Sequence, residues 1–260
     1  MAINVDQLNP RTAEKYRQVI EKSKYFVDIQ LWPLLQKLNP VFWLENFRED
    51  ELEHAIYLLD AFLYFSNDLI EAMFQSAFQG LSKSSLNLSD TSVNQQLMWS
   101  DFVDKIVITH VTKEVPHSTE SGFIFERMAR QVLGLPGSQF KSGDELYRLL
   151  QGTQSYNIVF VDDFVGSGEQ FVHTWQRPYF FSPLHSTDFN QIAQTGQHRF
   201  FYCPIICTEF AYRRLKLDAP EVTVCPAHVM SPRYSALATD SLEPVMHFVG
   251  LFGLICPWRG

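Results

Sequence analysis

The pattern of apolar and polar positions predicts a helix near the start of the chain. Asn9 followed by Pro10 is a helix start, because proline at the first helical position gives up only an amide that would be unpaired anyway. The helix is predicted to continue through RTAEKYRQVIEKSKYF. It is expected to end in the region of Trp32–Pro33, since a regular helix interior does not accommodate proline.

A second, longer helix is predicted over Glu49–Leu81. Apolar residues recur there at intervals of three and four, as on the buried face of a helix. They are Leu52, Ile56, Leu59, Phe62, Leu63, Leu69, Met73 and Phe74. Asn46 and Glu49 are expected to supply its side-chain cap. Serine and asparagine then dominate Ser82–Gln96, which predicts a linker or exposed loop.

The rest of the chain alternates predicted strands with predicted helices. Apolar and β-branched runs predict four strands, at Lys105–Val111, Tyr156–Asp163, Arg199–Cys207 and Glu221–Met230. The helical stretches FIFERMARQVLGL, EQFVHTW and TEFAYRRLK follow the first three. Such alternation is typical of βαβ units and predicts an α/β fold with a mostly parallel sheet flanked by helices. We expect residues 1–96 to form an N-terminal helical region and linker, and residues 97–260 the α/β domain.

Composition narrows the class of protein. Apolar residues make up 46% of the 260 residues, which is normal for a globular protein, and no run approaches the roughly 18 that a membrane helix needs. The start MAINVDQLNP lacks the features of a signal peptide, and four cysteines without a scaffold pattern fit a reducing cytoplasm. The excess of 29 acidic over 21 basic residues argues against a general nucleic-acid surface. We therefore expect a cytoplasmic globular protein.

Two neighbouring carboxylates end the second predicted strand. Asp162 and Asp163 fall where an open parallel sheet presents its ligand site, beyond the carboxyl ends of its strands. Carboxylates at this place suit a partner rich in hydroxyl groups or a divalent cation. The alternative is that the pair only caps the turn that follows.

A glycine-rich turn comes directly after the two aspartates. Gly166 and Gly168 bracket Ser167, so the backbone can approach a ligand closely. A helix is predicted from Glu169, and such a turn before a helix is an anion site whose common guest is phosphate. A ligand with phosphate on one side and hydroxyl groups on the other is a sugar phosphate. We expect a side chain at Gly168 to cost ligand binding more than stability.

Two of the known phosphate-binding sequence signatures are excluded for this stretch. The P-loop pattern G-x-x-x-x-G-K-[ST] is absent, and GSGEQF lacks the third glycine of the dinucleotide fingerprint. The stretch IVFVDDFVGSGEQ resembles the type I phosphoribosyltransferase signature. By that resemblance Asp162 and Asp163 contact the ribose hydroxyls of 5-phosphoribosyl 1-diphosphate, and a loop cradles its 5-phosphate. The loop residues are Val165, Gly166, Ser167, Gly168, Glu169 and Gln170.

The match departs from the signature at two positions. Gln170 stands where the family has threonine, and Glu169 adds an acid to a phosphate loop. A carboxylate there either points outward or weakens phosphate binding.

A second loop follows the first predicted strand, at Pro116–Gly122. The family resemblance places a diphosphate-binding loop here, with hydroxyls and a glycine before a helix. The residues implied are Ser118, Thr119, Glu120, Ser121 and Gly122. Arg127 and Arg130 on the following helix are candidates to add positive charge. Serine-rich turns before helices are also ordinary caps, and this alternative stays open.

The order of a helical N-terminal part and this core is similar to phosphoribosyltransferase-like proteins of bacterial conflict and defence loci. WLENF, ELEHAIYLLDAFLYFS and VFVDDFVGSGEQF carry that resemblance. It implies substrate-borne Mg²⁺, without a dedicated protein cage, and a part in nucleotide metabolism. The chain stops at CPWRG, soon after the fourth predicted strand, which leaves open whether a terminal segment of such relatives is missing.

Two functions from different classes remain open. One is a glycosyltransferase-class enzyme that transfers phosphoribosyl to a nitrogen acceptor. The other is a non-catalytic sensor of nucleotides or ribose phosphates, acting as a regulator or defence effector, which Glu169 and Gln170 favour slightly. A homodimer or a protein partner is compatible with both.

The remaining candidate metal ligands and charged residues are interpreted as structural or surface residues. Cys203, Cys207, Cys225 and His228 have spacing that resembles a zinc set, but the first three lie in predicted strands and are expected in the core. We therefore expect no protein-bound metal. Arg213–Arg214 follow the third predicted strand and are candidates to reach the site, but a solvated helix face is the favoured interpretation.

Overall fold

The structure is a computed structural model that describes residues 3–85, 91–111, 120–182 and 185–232. These residues fall into two compact units, 3–67 and 68–231. The helices that precede the first strand divide between the units. The division at residues 96 and 97 stays a prediction about domains.

The first unit is helical. It contains a 3₁₀ helix at Val5–Gln7, α1 at Pro10–Asp28, α2 at Pro40–Leu44 and α3 at Glu49–Asp60. The predicted start of α1 is confirmed, since the Asn9 side chain accepts the Thr12 amide at 2.9 Å. The hydrophobic core cluster of this unit consists of Val19, Trp32, Leu38, Leu44, Leu52, Ala55, Ile56 and Leu59.

The single long helix predicted over Glu49–Leu81 is wrong. Helix α3 ends at Asp60, and α4 covers Asn67–Gly80. The Lys22 ammonium donates to both the carboxylate and the main-chain oxygen of Asp60, and Lys15 donates to the carboxylate at 2.6 Å. These bonds from α1 satisfy a carbonyl that the end of α3 leaves without an intrahelical partner.

The predicted cap of α3 is also wrong. Arg48 is the N-cap residue, and its amide donates to the Glu51 carboxylate at 3.0 Å. The Asn46 side chain instead donates to the carbonyls of Phe42 and Trp43, at the end of α2. The sequence interpretation missed α2, which is only five residues long.

The helices of the second unit flank its sheet. After α4 they are α5 (Ser82–Ser85), α6 (Ser92–Asp104), α7 (Glu120–Val132), α8 (Gly143–Leu149), α9 (Glu169–Trp175), α10 (Phe189–Gln194) and α11 (Glu209–Asp218), with a 3₁₀ helix at Gly137–Gln139. The predicted linker Ser82–Gln96 is therefore helical at both ends. Thr91 caps α6 by accepting the Asn94 amide at 3.3 Å. In the described part of the chain, no helix has the length and apolarity to cross a membrane.

The central sheet is parallel throughout its described strands. Its strands are β1 (Ile106–His110), β2 (Asn157–Val165), β5 (Arg199–Thr208), β6 (Val222–Val224) and β7 (His228–Met230). Their order is β1-β2-β5-β6, and β7 also pairs with β5. A separate antiparallel pair comprises β3 (Tyr179–Ser182) and β4 (His185–Thr187). The predicted α/β class is confirmed.

The fourth predicted strand is interrupted. Strand β6 pairs with the first half of β5 and β7 with the second half. Between them, the amides of Cys225 and Ala227 donate to the carbonyls of Tyr202 and Pro204, at 2.7 and 3.1 Å. Pro226 has no amide hydrogen, so the strand is broken at this point.

Buried aromatic side chains pack β2 and β5 against α9. The rings of Phe171 and Tyr202 stack with centroids 4.1 Å apart, and Phe171 also stacks on Trp175 at 6.0 Å. Phe160 meets the Phe171 ring edge-on. These side chains are fully or almost fully buried. They fix the carboxyl ends of β2 and β5, where the candidate site lies.

Candidate functional site

The two aspartates lie inside β2, close to its end. The strand continues past Asp162 and Asp163 to Val165, two residues beyond its predicted end. Asp162 is in register with Pro204 of β5. Both carboxylates therefore stand on a strand that a neighbour holds rigidly, at the edge where parallel sheets bind ligands.

Asp162 is the half-buried member of the pair. The Tyr202 hydroxyl donates to its Oδ2 at 2.9 Å, and the Asp163 amide donates to its Oδ1 at 2.9 Å. Burial raises the pKa of Asp162 to about 7, and the Asp163 charge adds to that rise. The Tyr202 hydrogen bond opposes it by favouring the ionised form. Asp162 thus titrates near neutral pH.

Tyr202 is a dependable donor to Asp162. Burial, followed by the nearby Asp162 charge, raises the pKa of Tyr202 well above its ordinary value. The hydroxyl therefore keeps its proton. Its ring is fully buried and stacked on Phe171, so the hydroxyl has little freedom to move.

Asp163 has a different environment. Its side chain is exposed, and its Oδ1 accepts the Phe164 amide at 2.7 Å. This bond and the Asp163-to-Asp162 bond each join neighbouring residues. Neither reaches the glycine turn, so the interpretation of the pair as a cap of that turn has no support in these bonds.

The glycine turn rests on α11. Gly168 is buried with φ of +77°, and a Cβ at this position would lie 3.3 Å from Leu215 Cγ and 3.7 Å from the Ala211 carbonyl oxygen. Glycine is therefore required by backbone conformation and by close packing. The expectation that a side chain here would cost binding more than stability omitted this packing. Gly166 and Ser167 are exposed beside it.

Two residues that sequence reasoning did not assign to the site hold this turn. The Thr208 hydroxyl donates to the Gly166 carbonyl at 2.5 Å, and Arg214 Nη1 donates to the Ser167 carbonyl at 3.3 Å. The expectation of a solvated face is therefore wrong for Arg214. It holds for Arg213, which is ion-paired with Glu209 and 75% exposed. Thr208 had a detectable signal, because threonine before a helical stretch is a typical cap.

Glu169 and Gln170 begin α9, and both side chains are exposed. The Glu169 amide donates to Ser167 Oγ at 3.3 Å. The Glu169 carboxylate lies 3.9 Å from Nε2 of His173, one helical turn later. It therefore points along the helix, away from the turn. Of the two alternatives for this carboxylate, the structure favours the outward one.

The second predicted loop is only partly described. Ser118 and Thr119 lie outside the described residues. Glu120, Ser121 and Gly122 have helical backbone in the first turn of α7, so their assignment to a loop is wrong. On the same helix, the Arg130 guanidinium lies 6.0 Å from the ring centroid of Phe140. A role of this segment in diphosphate binding stays a prediction.

Two cysteines of the zinc-like set, Cys203 and Cys207, lie in β5, and Cys225 directly follows β6. Cys203 and Cys207 are fully buried in β5, as predicted for core residues, and Cys225 is partly buried. Burial raises the pKa of Cys203 well above its ordinary value and that of Cys207 to about 12. The described residues contain no cluster of three or more histidine, cysteine, aspartate or glutamate side chains arranged to hold a metal ion.

Comparison with known proteins gives one family match. The family model described as PRTase-CE matches residues 42–249, which is more than half of the chain and includes the acidic pair and the glycine turn. No curated protein matches the chain.

Proposed function

The chain belongs to the PRTase-CE family, a phosphoribosyltransferase-like family, and on that premise we propose that it binds 5-phosphoribosyl 1-diphosphate or a related ribose phosphate. The observation that carries this proposal is the continuity of β2 with the glycine turn. A rigid strand presents Asp162 and Asp163, and the turn follows within three residues. Membership of the family supports a phosphoribosyltransferase-type function in general.

The acidic pair suits the ribose. Ionised carboxylates are acceptors only, and so they suit hydroxyl donors such as those of ribose. Asp163 is exposed and ready to accept, whereas Asp162 is held by Tyr202 at 2.9 Å. The turn suits the 5-phosphate, because the exposed backbone at Gly166 and Ser167 allows close approach.

The same carboxylates fit Mg²⁺. This ion is bound in proteins by one or two carboxylates together with substrate phosphates and waters, so two aspartates with no further acidic cluster are a sufficient donor set. We propose that Mg²⁺ arrives with the diphosphate. When bound, it would neutralise charge on the leaving diphosphate.

If the protein turns its ligand over, the reaction exchanges one bond at the anomeric carbon. The bond from that carbon to the diphosphate oxygen breaks, and a bond to an acceptor nitrogen forms, with the nitrogen's proton released. Positive charge develops on the ribosyl ring, and Asp162 and Asp163 would stabilise it electrostatically. No side chain acts as a nucleophile in this scheme.

A non-catalytic sensor of ribose phosphates, acting as a regulator or defence effector, is the second candidate. The observation that favours it is the departure of the turn from the signature at Glu169 and Gln170, both exposed at the start of α9. A cytoplasmic location is proposed for either function. The free thiols of Cys203, Cys207 and Cys225 support it.

Calorimetric titration with 5-phosphoribosyl 1-diphosphate and Mg²⁺ tests the proposal. We expect the wild type to bind, and Asp162→Asn with Asp163→Asn to weaken binding by about a hundredfold or more, equivalent to about 2.7 kcal/mol. The variant should stay folded, because asparagine keeps an acceptor for Tyr202. The control, Asp101→Asn with Asp144→Asn, removes the same charge from exposed positions.

Equal binding by the acidic-pair variant and the wild type would refute the assignment of these residues. Unfolding of that variant without ligand would support a structural cap instead. Assay of diphosphate release with nitrogen acceptors separates the two candidate functions. Binding without release would favour the sensor.

A further inference from the structure

We propose that Thr208 and Arg214 are positioning residues, which orient the turn Gly166–Gly168 so that the amides of Ser167 and Gly168 face the ligand's phosphate. This inference rests on the proposed binding of a ribose phosphate. It adds the junction of β5 and α11 to a phosphate-binding turn that the sequence located between β2 and α9.

The first contact is made by Thr208. Its hydroxyl donates to the Gly166 carbonyl at 2.5 Å and accepts the Ala211 amide at 3.1 Å. A hydroxyl has one hydrogen to give, so both bonds are satisfied together. Because Thr208 is also the N-cap residue of α11, the helix fixes the place of the hydroxyl.

The second contact is made by Arg214. Its Nη1 donates to the Ser167 carbonyl at 3.3 Å, while its Nε donates to Asp218 Oδ2 at 3.1 Å. The Arg214 side chain is 34% exposed, so the guanidinium lies partly against the protein. Asp218, one turn later on α11, holds the guanidinium in the orientation that reaches the turn.

These two bonds determine where the amides of the turn point. In a trans peptide the carbonyl and the following N–H point in opposite directions. With the Gly166 and Ser167 carbonyls directed towards β5 and α11, the amides of Ser167 and Gly168 are directed away from them. Neither amide has an acceptor within the described parts of the chain. Successive amides on one side form an anion-binding concavity.

The turn also packs against α11. Gly168 lies against Leu215 and Ala211 of α11, on which Arg214 also lies. One helix therefore supplies the surface under the turn and one of the two donors that orient its carbonyls. Loss of either donor should let the peptide planes rotate, and this should weaken contacts with phosphate while leaving ribose contacts at Asp163 in place.

Binding of ribose 5-phosphate, measured by calorimetry, tests this inference. We expect Thr208→Val and Arg214→Gln each to weaken binding by about tenfold. Thr208→Ser keeps the hydroxyl and should restore affinity to within about threefold of the wild type. Arg213→Gln is the matched control, because it removes the same charge from the neighbouring residue without touching the turn, and should stay within about twofold.

A second readout follows the amides directly. In the wild type, inorganic phosphate should shift the amide nitrogen and proton resonances of Ser167 and Gly168, and Arg214→Gln should reduce both shifts. A structural role alone would leave these two resonances no more sensitive than others. If Thr208→Val does not fold, the comparison of Arg214→Gln with Arg213→Gln and the serine variant still decides the inference.

Wild-type affinity in both Thr208→Val and Arg214→Gln would overturn the inference while the proposed function stood. An equal loss in Arg213→Gln and Arg214→Gln would also overturn it, since general charge would then explain the effect. Failure of the wild type to bind ribose 5-phosphate or 5-phosphoribosyl 1-diphosphate would overturn the proposed function, and this inference with it.

Discussion

At the scale of single residues, the two adjacent aspartates of this protein differ in their environment. Asp162 is half-buried under the Tyr202 hydroxyl, and its pKa is raised to about 7, whereas Asp163 is exposed. A raised pKa means that the folded chain holds the proton more tightly than the unfolded chain. The stability that this contributes is complete below about pH 4 and is lost as the pH rises through about 7.

Ligand binding should show the opposite dependence on pH. An ionised Asp162 accepts a ribose hydroxyl more strongly than a protonated one, so affinity for ribose 5-phosphate should rise as the pH passes through about 7. Tyr202→Phe removes a hydrogen bond that favours the ionised form, and should move this midpoint to higher pH. Affinity is measured from about pH 5.5 to about pH 8.5 in the wild type and in Asp162→Asn. Subtracting the Asp162→Asn profile removes the part of the pH dependence that comes from titration of the ligand's own phosphate.

Tyr212→Phe is the control for that experiment, because it removes a hydroxyl from α11, where Lys216 lies over the ring of Tyr212. It should leave the midpoint unchanged. A midpoint that does not move in Tyr202→Phe would show that this hydroxyl does not influence the ionisation of Asp162.

At the scale of elements, the turn between β2 and α9 packs against α11 and is also a candidate phosphate loop. Gly168 has φ of +77° and is buried against α11, while Gly166 is exposed. The two glycines therefore have different reasons to be glycine. Gly168 is required by the fold, whereas the reason proposed for Gly166 is the close approach of a ligand.

Substitution by alanine should separate these reasons. Gly168→Ala should lower the free energy of unfolding by about 1–3 kcal/mol, from the left-handed backbone and the contact with Leu215. Gly166→Ala should lower it by less than about 0.5 kcal/mol, since its Cβ would approach only the ring of Phe164, at 3.3 Å. Urea unfolding measures both. Equal losses would contradict the packing of Gly168 on α11.

At the scale of the whole molecule, the described chain consists of a helical unit at residues 3–67 and an α/β unit at residues 68–231. Every described residue of the candidate site lies in the second. A ligand stabilises most strongly the segments that it contacts, because local opening must first release it. The effect of ligand on amide exchange should therefore be confined to part of the chain.

Hydrogen exchange with and without 5-phosphoribosyl 1-diphosphate and Mg²⁺ measures this confinement. We expect slower exchange in peptides that cover residues 162–170 and 206–214. Peptides from α1 and α3 should be unchanged. Slower exchange in α1 or α3 would show that the first unit takes part in binding, which would contradict a site built from the second unit alone.

The sequence by itself determined features that depend on near neighbours. Asn9 and Pro10 start α1, β2 carries the acidic pair, and α9 covers the predicted stretch EQFVHTW. A cap, an apolar run or a glycine turn acts over a few residues, and so leaves a readable pattern. The same local patterns sufficed to predict the α/β class and the family resemblance.

Only the tertiary structure decided features that join residues far apart in the chain. Asp60 at the end of α3 is bound by lysines 38 and 45 residues earlier, and Asp162 accepts a hydrogen bond from Tyr202, 40 residues later. Thr208 and Arg214 reach the turn across 42 and 47 residues. Such contacts depend on which strands and helices become neighbours, and no local pattern of apolar and polar residues encodes that pairing.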